Sequence, residues 1–235
     1  MTLLVLEGVR RRFGGIVAAD GIDLTLAAGE RRCLIGPNGA GKSTVFKLIM
    51  GLLRPDAGSI RFDDHEITRE EPFRRVQRGL SMKYQTTRIF PSLTVSQNMS
   101  IALSRGKEAS DLAAWGLDRF GLASLGTRRA GELSYGQQHW LEMCMALGNR
   151  PRVVLMDEPT AGMTPEESRR TAAFVRELAG RGIAAIVIEH DMGFVRDLEA
   201  PTTVLHQGRV FREGSMAEIE ADPEVQRIYL GEVDA

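Results

Sequence analysis

The chain has 235 residues, 43% of them hydrophobic, and its 30 Lys and Arg nearly balance 31 Asp and Glu for a net charge of -1. That length suffices for one domain, or one domain with an insertion, around a sizeable core, and the charge balance argues against broad non-specific nucleic-acid binding. No apolar run approaches the roughly 20 residues that cross a bilayer, and the opening MTLLVLEGVRRRFGG lacks the charge order of a signal peptide. The expectation is therefore a cytoplasmic protein whose membrane role, if any, comes through a partner.

LLVLEGV and IVAADGIDLTLAAGE alternate in character and are broken by glycine, which predicts antiparallel strands. RRCLIG reads as a buried strand. KSTVFKLIMGLLR reads as a helix with Val45, Leu48, Ile49 and Leu52 on one face. PDAG is a turn, and SIRFDDHEI is a strand entering a tight Asp-Asp turn. From Thr86 to about Leu133 the texture becomes helical, with Thr94 and Gln97 at capping-box spacing. VVLMDEP is a strand, and TPEESRRTAAFVRELAGRG a helix with Thr164 at the N-cap, Pro165 at N1 and Glu167 at N3. AAIVIEHD is a further strand, PTTVLHQGRVFREG a hairpin, and a short helical tail ends in YLGEVDA. Cys33 and Cys144 are expected to be buried and separate, making neither a disulfide nor a metal site.

Strands alternating with helices predict an α/β fold with an open parallel sheet, whose ligands bind at the carboxyl ends of the strands. Three apolar runs end in candidate chemistry: RRCLI in Gly36, VVLM in Asp157-Glu158, and AAIVI in Glu189-His190.

GPNGAGKST, Gly36-Pro37-Asn38-Gly39-Ala40-Gly41-Lys42-Ser43-Thr44, lies between a strand and a helix and fits a phosphate-cradling loop. Its glycines let backbone N–H groups face phosphates, and the helix start adds positive potential. Lys42 is expected to reach the β and γ phosphates, Ser43 to bind Mg²⁺ and Thr44 to touch the α phosphate. A dinucleotide-binding reading fails, since G-x-G-x-x-G is absent. Asp157 is the candidate for the Mg²⁺ shell and Glu158 for polarising the attacking water; a solvated acidic strand end is the bland alternative. His190 is placed to donate to the γ phosphate, and Asp191 is read as an N-cap. Ser134 and Gly136, in LSYGQQ before a helix, fit either an anion site or plain N-capping. His65, His139 and His206 receive no function, and Arg10-Arg11-Arg12 is read as a solvated strand end.

The order of phosphate-binding loop, Gln85 in KYQTT, LSYGQQ, DEP and His190 resembles the nucleotide-binding subunit of an ABC transporter across essentially the whole chain. The resemblance implies a P-loop ABC-ATPase fold over residues 1–235. Its parts are a RecA-like parallel core, an N-terminal antiparallel β subdomain and a helical subdomain inserted at 86–133. It implies that Gln85 senses the γ phosphate and Mg²⁺ and faces a permease. Ser134, Gly136 and Gln137 would bind ATP held by a second cassette, and Phe13 would stack on adenine unless it is simply a core residue. It also implies two transmembrane permease subunits, a solute-binding protein reached indirectly, a place on the cytoplasmic face of the membrane, and no nucleic-acid partner. Tyr135 departs from the usual Gly of the signature, and Thr164 from the usual Asp of the dimer-facing loop. FGGIVAADGIDL, LSYGQQ, DEPTAGMTPEE and IEHDM resemble the importer branch for branched-chain amino acids, amides and urea. QQHWLEM, TTVLHQGRV and YLGE resemble its urea-type members. A soluble ABC-type ATPase acting on DNA or ribosomes is the alternative.

Overall fold

The structure is a computed structural model that describes residues 1–103 and 106–230. The chain opens with a long hairpin, β1 (Thr2–Phe13) and β2 (Ile16–Ala27), then β3 (Arg31–Ile35) and the helix α1 (Lys42–Ile49). There follow β4 (Ala57–Phe62), the short β5 (His65–Glu66), α2 (Pro72–Arg78) and β6 (Leu80–Lys83). Between β6 and the next strand lie α3 (Val95–Ala102), α4 (Lys107–Phe120) and α5 (Tyr135–Leu147). The chain finishes with β7 (Val153–Asp157), α6 (Pro165–Gly180), β8 (Ala184–Ile188), α7 (Met192–Leu198), the hairpin β9 (Thr202–His206) and β10 (Arg209–Gly214), α8 (Met216–Ala221) and α9 (Pro223–Leu230). The end of the expected tail, residues 231–235, lies outside the described residues.

Two sheets carry these strands. An antiparallel sheet has the order β2-β1-β4-β5, and a second sheet has the order β10-β9-β3-β8-β7-β6, parallel from β9 to β6. The parallel strands β7 and β8 are buried along their whole length, which is why they read as unbroken apolar runs. Their alternate side chains feed two cores. Cys33, Ile35, Val154, Met156, Ala185 and Val187 face a helical core containing Phe120, Trp140 and Phe174. Leu34, Val153, Leu155, Ala184, Ile186 and Ile188 face the antiparallel sheet and α1, around Phe46 and Phe62. The two-residue period of a strand thus divides each one between opposite faces.

The expected caps are present. Thr94, Ser134 and Thr164 each accept from the backbone N–H three residues on, and the side chains of Gln97, Gln137 and Glu167 each close the reciprocal bond. Asp191 caps α7 by accepting from Gly193 N–H. One expectation is corrected: α1 ends at Ile49, and Leu52 lies beyond it, 45% exposed. Gly51 turns the chain with φ 74°, so the amphipathic period does not continue to Leu52. Two elements escaped sequence reading, α2 and β6. Arg75 on α2 is wholly buried and donates to the carbonyls of Leu48 and Ile49, both at 2.7 Å, closing the C-terminus of α1. Its other donors reach the carbonyls of Thr68 and Glu70.

Candidate functional site

The loop after β3 is shaped by two glycines, Gly36 and Gly41, that leave no room for a side chain. A Cβ on Gly36 would lie 2.2 Å from the Leu205 carbonyl oxygen, and one on Gly41 2.2 Å from that of Ala18. Gly41, with φ 103°, delivers the chain directly into α1. The first residues of α1 are Lys42, Ser43 and Thr44, so their backbone N–H groups are the unpartnered donors of a helix start. Lys42 is buried, and its Nζ donates to the carbonyls of Gly36 (2.5 Å) and Pro37 (3.0 Å). Burial lowers its pKa, opposed by the nearby carboxylates of Glu158 and Asp157.

A cavity of about 300 Å³ opens over this loop. Asn38 to Thr44 form its floor, Ile16 and Ala18 one wall, and Gln85, Glu158 and His190 another. The last three come from three separate strand ends, those of β6, β7 and β8. They meet at one carboxylate: Gln85 Nε2 donates to Glu158 Oε2 at 2.9 Å, and His190 Nε2 lies 3.0 Å from Glu158 Oε1. Glu158 has φ 46°, a left-handed backbone that costs about 1 kcal/mol for a non-glycine residue. Its N–H is held by the Ile188 carbonyl, and its own carbonyl accepts from Lys83 Nζ at 3.4 Å.

Asp157, at the last position of β7, is buried beneath the cavity wall. Burial raises its pKa, as does Glu158, while Ser43, Lys83 and Lys42 oppose the rise. Among the described residues no group of three or more His, Cys, Asp or Glu gathers to hold a metal ion. The oxygen donors of Ser43, Asp157 and Gln85 are instead the hard set that suits Mg²⁺ shared with phosphate.

Not every expected residue reaches the cavity. Phe13 sits across the hairpin from Ile16, 42% exposed, under the Arg11 guanidinium, and does not line it; Ile16 does, at 71% exposure. Ser134, Gly136 and Gln137 stand apart at the N-terminus of α5, within that helix's capping box.

Three supporting residues received no specific role from the sequence, although Glu189 ends one of the three apolar runs. Glu189, 4% exposed, accepts from Thr160 N–H (2.9 Å), Thr160 O–H (2.6 Å) and His190 N–H (3.1 Å), tying the loop after β7 to the end of β8. Lys83 is wholly buried at the end of β6. His139 is wholly buried on α5 without a hydrogen-bond partner on either ring nitrogen, and burial, with Lys83 nearby, lowers its pKa to about 4. Only Glu189 carried a signal, an acidic residue directly after a fully apolar strand.

The comparisons with known proteins agree with this architecture. The family described as "ABC transporter" matches residues 19–161, more than half of the chain. The chain belongs to the ABC transporter family, as an ATP-hydrolysing ATP-binding cassette. It is 32% identical over 98% of its length, and 98% of the relative's, to the high-affinity branched-chain amino acid transport ATP-binding protein BraF of Pseudomonas aeruginosa. It is 33% identical, with the same coverage, to the corresponding LivG protein of Escherichia coli. The ADP conformation of MJ1267, an ATP-binding cassette of an ABC transporter, superposes with a TM-score of 0.90 at 31% identity, covering 99% of this chain and 100% of that one. The dimeric cassette MJ0796 superposes with a TM-score of 0.79 at 25% identity, over 91% and 99%. The importer reading is thereby favoured over action on DNA or ribosomes.

Proposed function

We propose that this cassette is the motor subunit of an importer for branched-chain amino acids or related amides, with Glu158 as the base of its ATPase reaction. The observation that carries the catalytic assignment is the placement of the Glu158 carboxylate. It faces the phosphate-loop cavity while Gln85 and His190 hold one oxygen each. A carboxylate so fixed can orient a water for in-line attack and accept its proton. Lys42 would leave the carbonyls of Gly36 and Pro37 for the β and γ phosphates, and the α1 N-terminus would take the remaining phosphate charge. Thr44 is positioned for the α phosphate. Ile16, with Phe13 behind it, offers an apolar surface for the base. Ser43, Asp157 and Gln85 would hold Mg²⁺, which when bound neutralises charge on the β and γ phosphate oxygens. His190, on the opposite oxygen of Glu158 from Gln85, can turn a ring N–H to the γ phosphate.

The solute class rests on the names of the full-length relatives BraF and LivG, with motif resemblance extending it to urea. Among the described residues no helix is long and apolar enough to cross a membrane. Transport then requires two permease subunits, with this chain on their cytoplasmic face and a solute-binding protein serving the other side. Ser134, Gly136 and Gln137 would meet the nucleotide held by a second cassette; the related cassette MJ0796 is dimeric. The helical segment 86–133, ending before α5, would act as the inserted subdomain beside Gln85.

The test is Glu158→Gln. This variant should bind ATP, turn over at least about a hundredfold more slowly, and accumulate as a nucleotide-bound dimer in size-exclusion chromatography. Turnover close to that of the native chain would overturn the assignment of Glu158.

A further inference from the structure

Tyr135 is the first residue of α5 and is 54% exposed, yet its ring is not free. It packs on His139 with ring centroids 4.5 Å apart, and it lies so close to Gly162 that a Cβ there would come within 2.8 Å of its Cε1. Gly162 belongs to the loop that starts at Glu158 and ends at the cap Thr164. One residue further along α5, Gly136 abuts Glu167, where a Cβ would lie 2.4 Å from the carboxylate; that carboxylate also accepts from Thr164 N–H at 2.9 Å. The first turn of α5 therefore touches both ends of the second half of this loop. The loop is short and pinned in its middle, because Thr160 is held by the buried Glu189. Between Gly162 and Glu158, Thr160 shares the Glu189 carboxylate with the backbone N–H of His190, so this loop and the residue beside Glu158 in the cavity wall rest on one anchor.

We propose that Tyr135 and His139 are positioning residues that couple the signature turn to the loop carrying Glu158. Binding at Ser134 and Gly136 then adjusts the catalytic carboxylate of the same chain. This rests on the function proposed above, in which the signature turn meets the nucleotide of a facing cassette. It also accounts for the departure from glycine at position 135, because the ring spans a gap to Gly162 that a glycine would leave open. His139, buried and uncharged, supports the ring from beneath.

Tyr135→Gly and Tyr135→Phe in the full chain test this. In the Gly variant kcat should fall about fivefold, the loss of one aromatic packing contact, while KM for ATP stays within about twofold. The Hill coefficient for ATP should fall towards unity, and Phe should restore both values. Unchanged kcat and Hill coefficient in the Gly variant would overturn the coupling, as would a Phe variant as impaired as Gly. Hydrogen exchange of the amides of residues 160–163, measured in the Glu158→Gln background, needs nucleotide binding only. ATP should slow it with Tyr135 present and not with Tyr135→Gly; equal protection in both would overturn the coupling. A native chain without ATPase activity would instead refute the hydrolytic reading, and the exchange measurement would still decide the coupling.

Discussion

Replacing Glu189 by Gln isolates the acceptor role of a buried carboxylate that touches no reacting atom. Both of its oxygens face donors: Oε1 takes the N–H and O–H of Thr160, and Oε2 takes the N–H of His190. A glutamine is nearly the same shape but has one acceptor oxygen and an NH₂ group. Whichever way the amide turns, a donor meets a donor, and two loops lose their common anchor. Hydrogen bonds to an ionised group contribute about 1.5–3 kcal/mol each and an orphaned buried donor costs about 1–3 kcal/mol, so a net loss of about 2–4 kcal/mol is expected. That is a sizeable part of the roughly 5–15 kcal/mol that holds a domain together. With a urea slope of about 2–3 kcal/mol/M, the unfolding midpoint should drop by about 1 M. Turnover should fall by at least about tenfold, because Glu158 and His190 sit on the two loops released, while KM for ATP should stay within about twofold. A cycle with Thr160→Val should return a coupling energy of about 1–2 kcal/mol. A Gln variant that loses less than about 0.5 kcal/mol and keeps its turnover would refute the acceptor count.

Arg75→Met should cost about 3–5 kcal/mol in urea unfolding, since it strips four carbonyls of their donor inside the protein. Burial lowers the Arg75 pKa only to about 10, leaving it charged at neutral pH, and Arg75→Lys should recover less than half of the loss because an ammonium cannot fan out to all four. For His139, the folded pKa of about 4 lies below the ordinary 6.5, so the unfolded chain takes up the proton first. Stability should therefore be level above pH 6.5 with respect to this group and fall by up to about 3 kcal/mol as pH drops to about 4, a loss that His139→Gln should remove in denaturation series across that range.

Much of this site is legible because the signals are local. The loop glycines, Lys42 and Ser43 lie in one run of nine residues, and β7 and β8 announce themselves as unbroken apolar stretches that stop at a carboxylate. The capping boxes at Thr94, Ser134 and Thr164 follow from a hydroxyl and a Glu or Gln three residues apart. What was missed depends on position in space. β6 has only four residues, with Ser81 and Lys83 interrupting its apolar character, so the strand that delivers Gln85 has no pattern to read. Arg75 and Lys83 look like any surface cation until packing buries them. Leu52 fits the helical period, but Gly51 has already turned the chain.

The two readings of Ser134, helix cap and anion contact, do not compete. As a cap, Ser134 Oγ accepts from Gln137 N–H and the Gln137 side chain takes Ser134 N–H. The hydroxyl proton is not consumed by either bond and remains available to a phosphate oxygen, and the capping box holds the turn in the shape that aims it. Yet this turn contributes nothing to the cavity over Asn38 to Thr44, which draws its walls from the N-terminal hairpin and three strand ends. A nucleotide in that cavity would meet the loop on one side and the strand ends carrying Glu158, Gln85 and His190 on the other, while the N-terminus of α5 does not line it. The arrangement makes sense if the missing wall belongs to another cassette, so that neither chain closes a site alone. The contact of Tyr135 with Gly162 then joins the half-site that each chain lends to the half-site that it keeps.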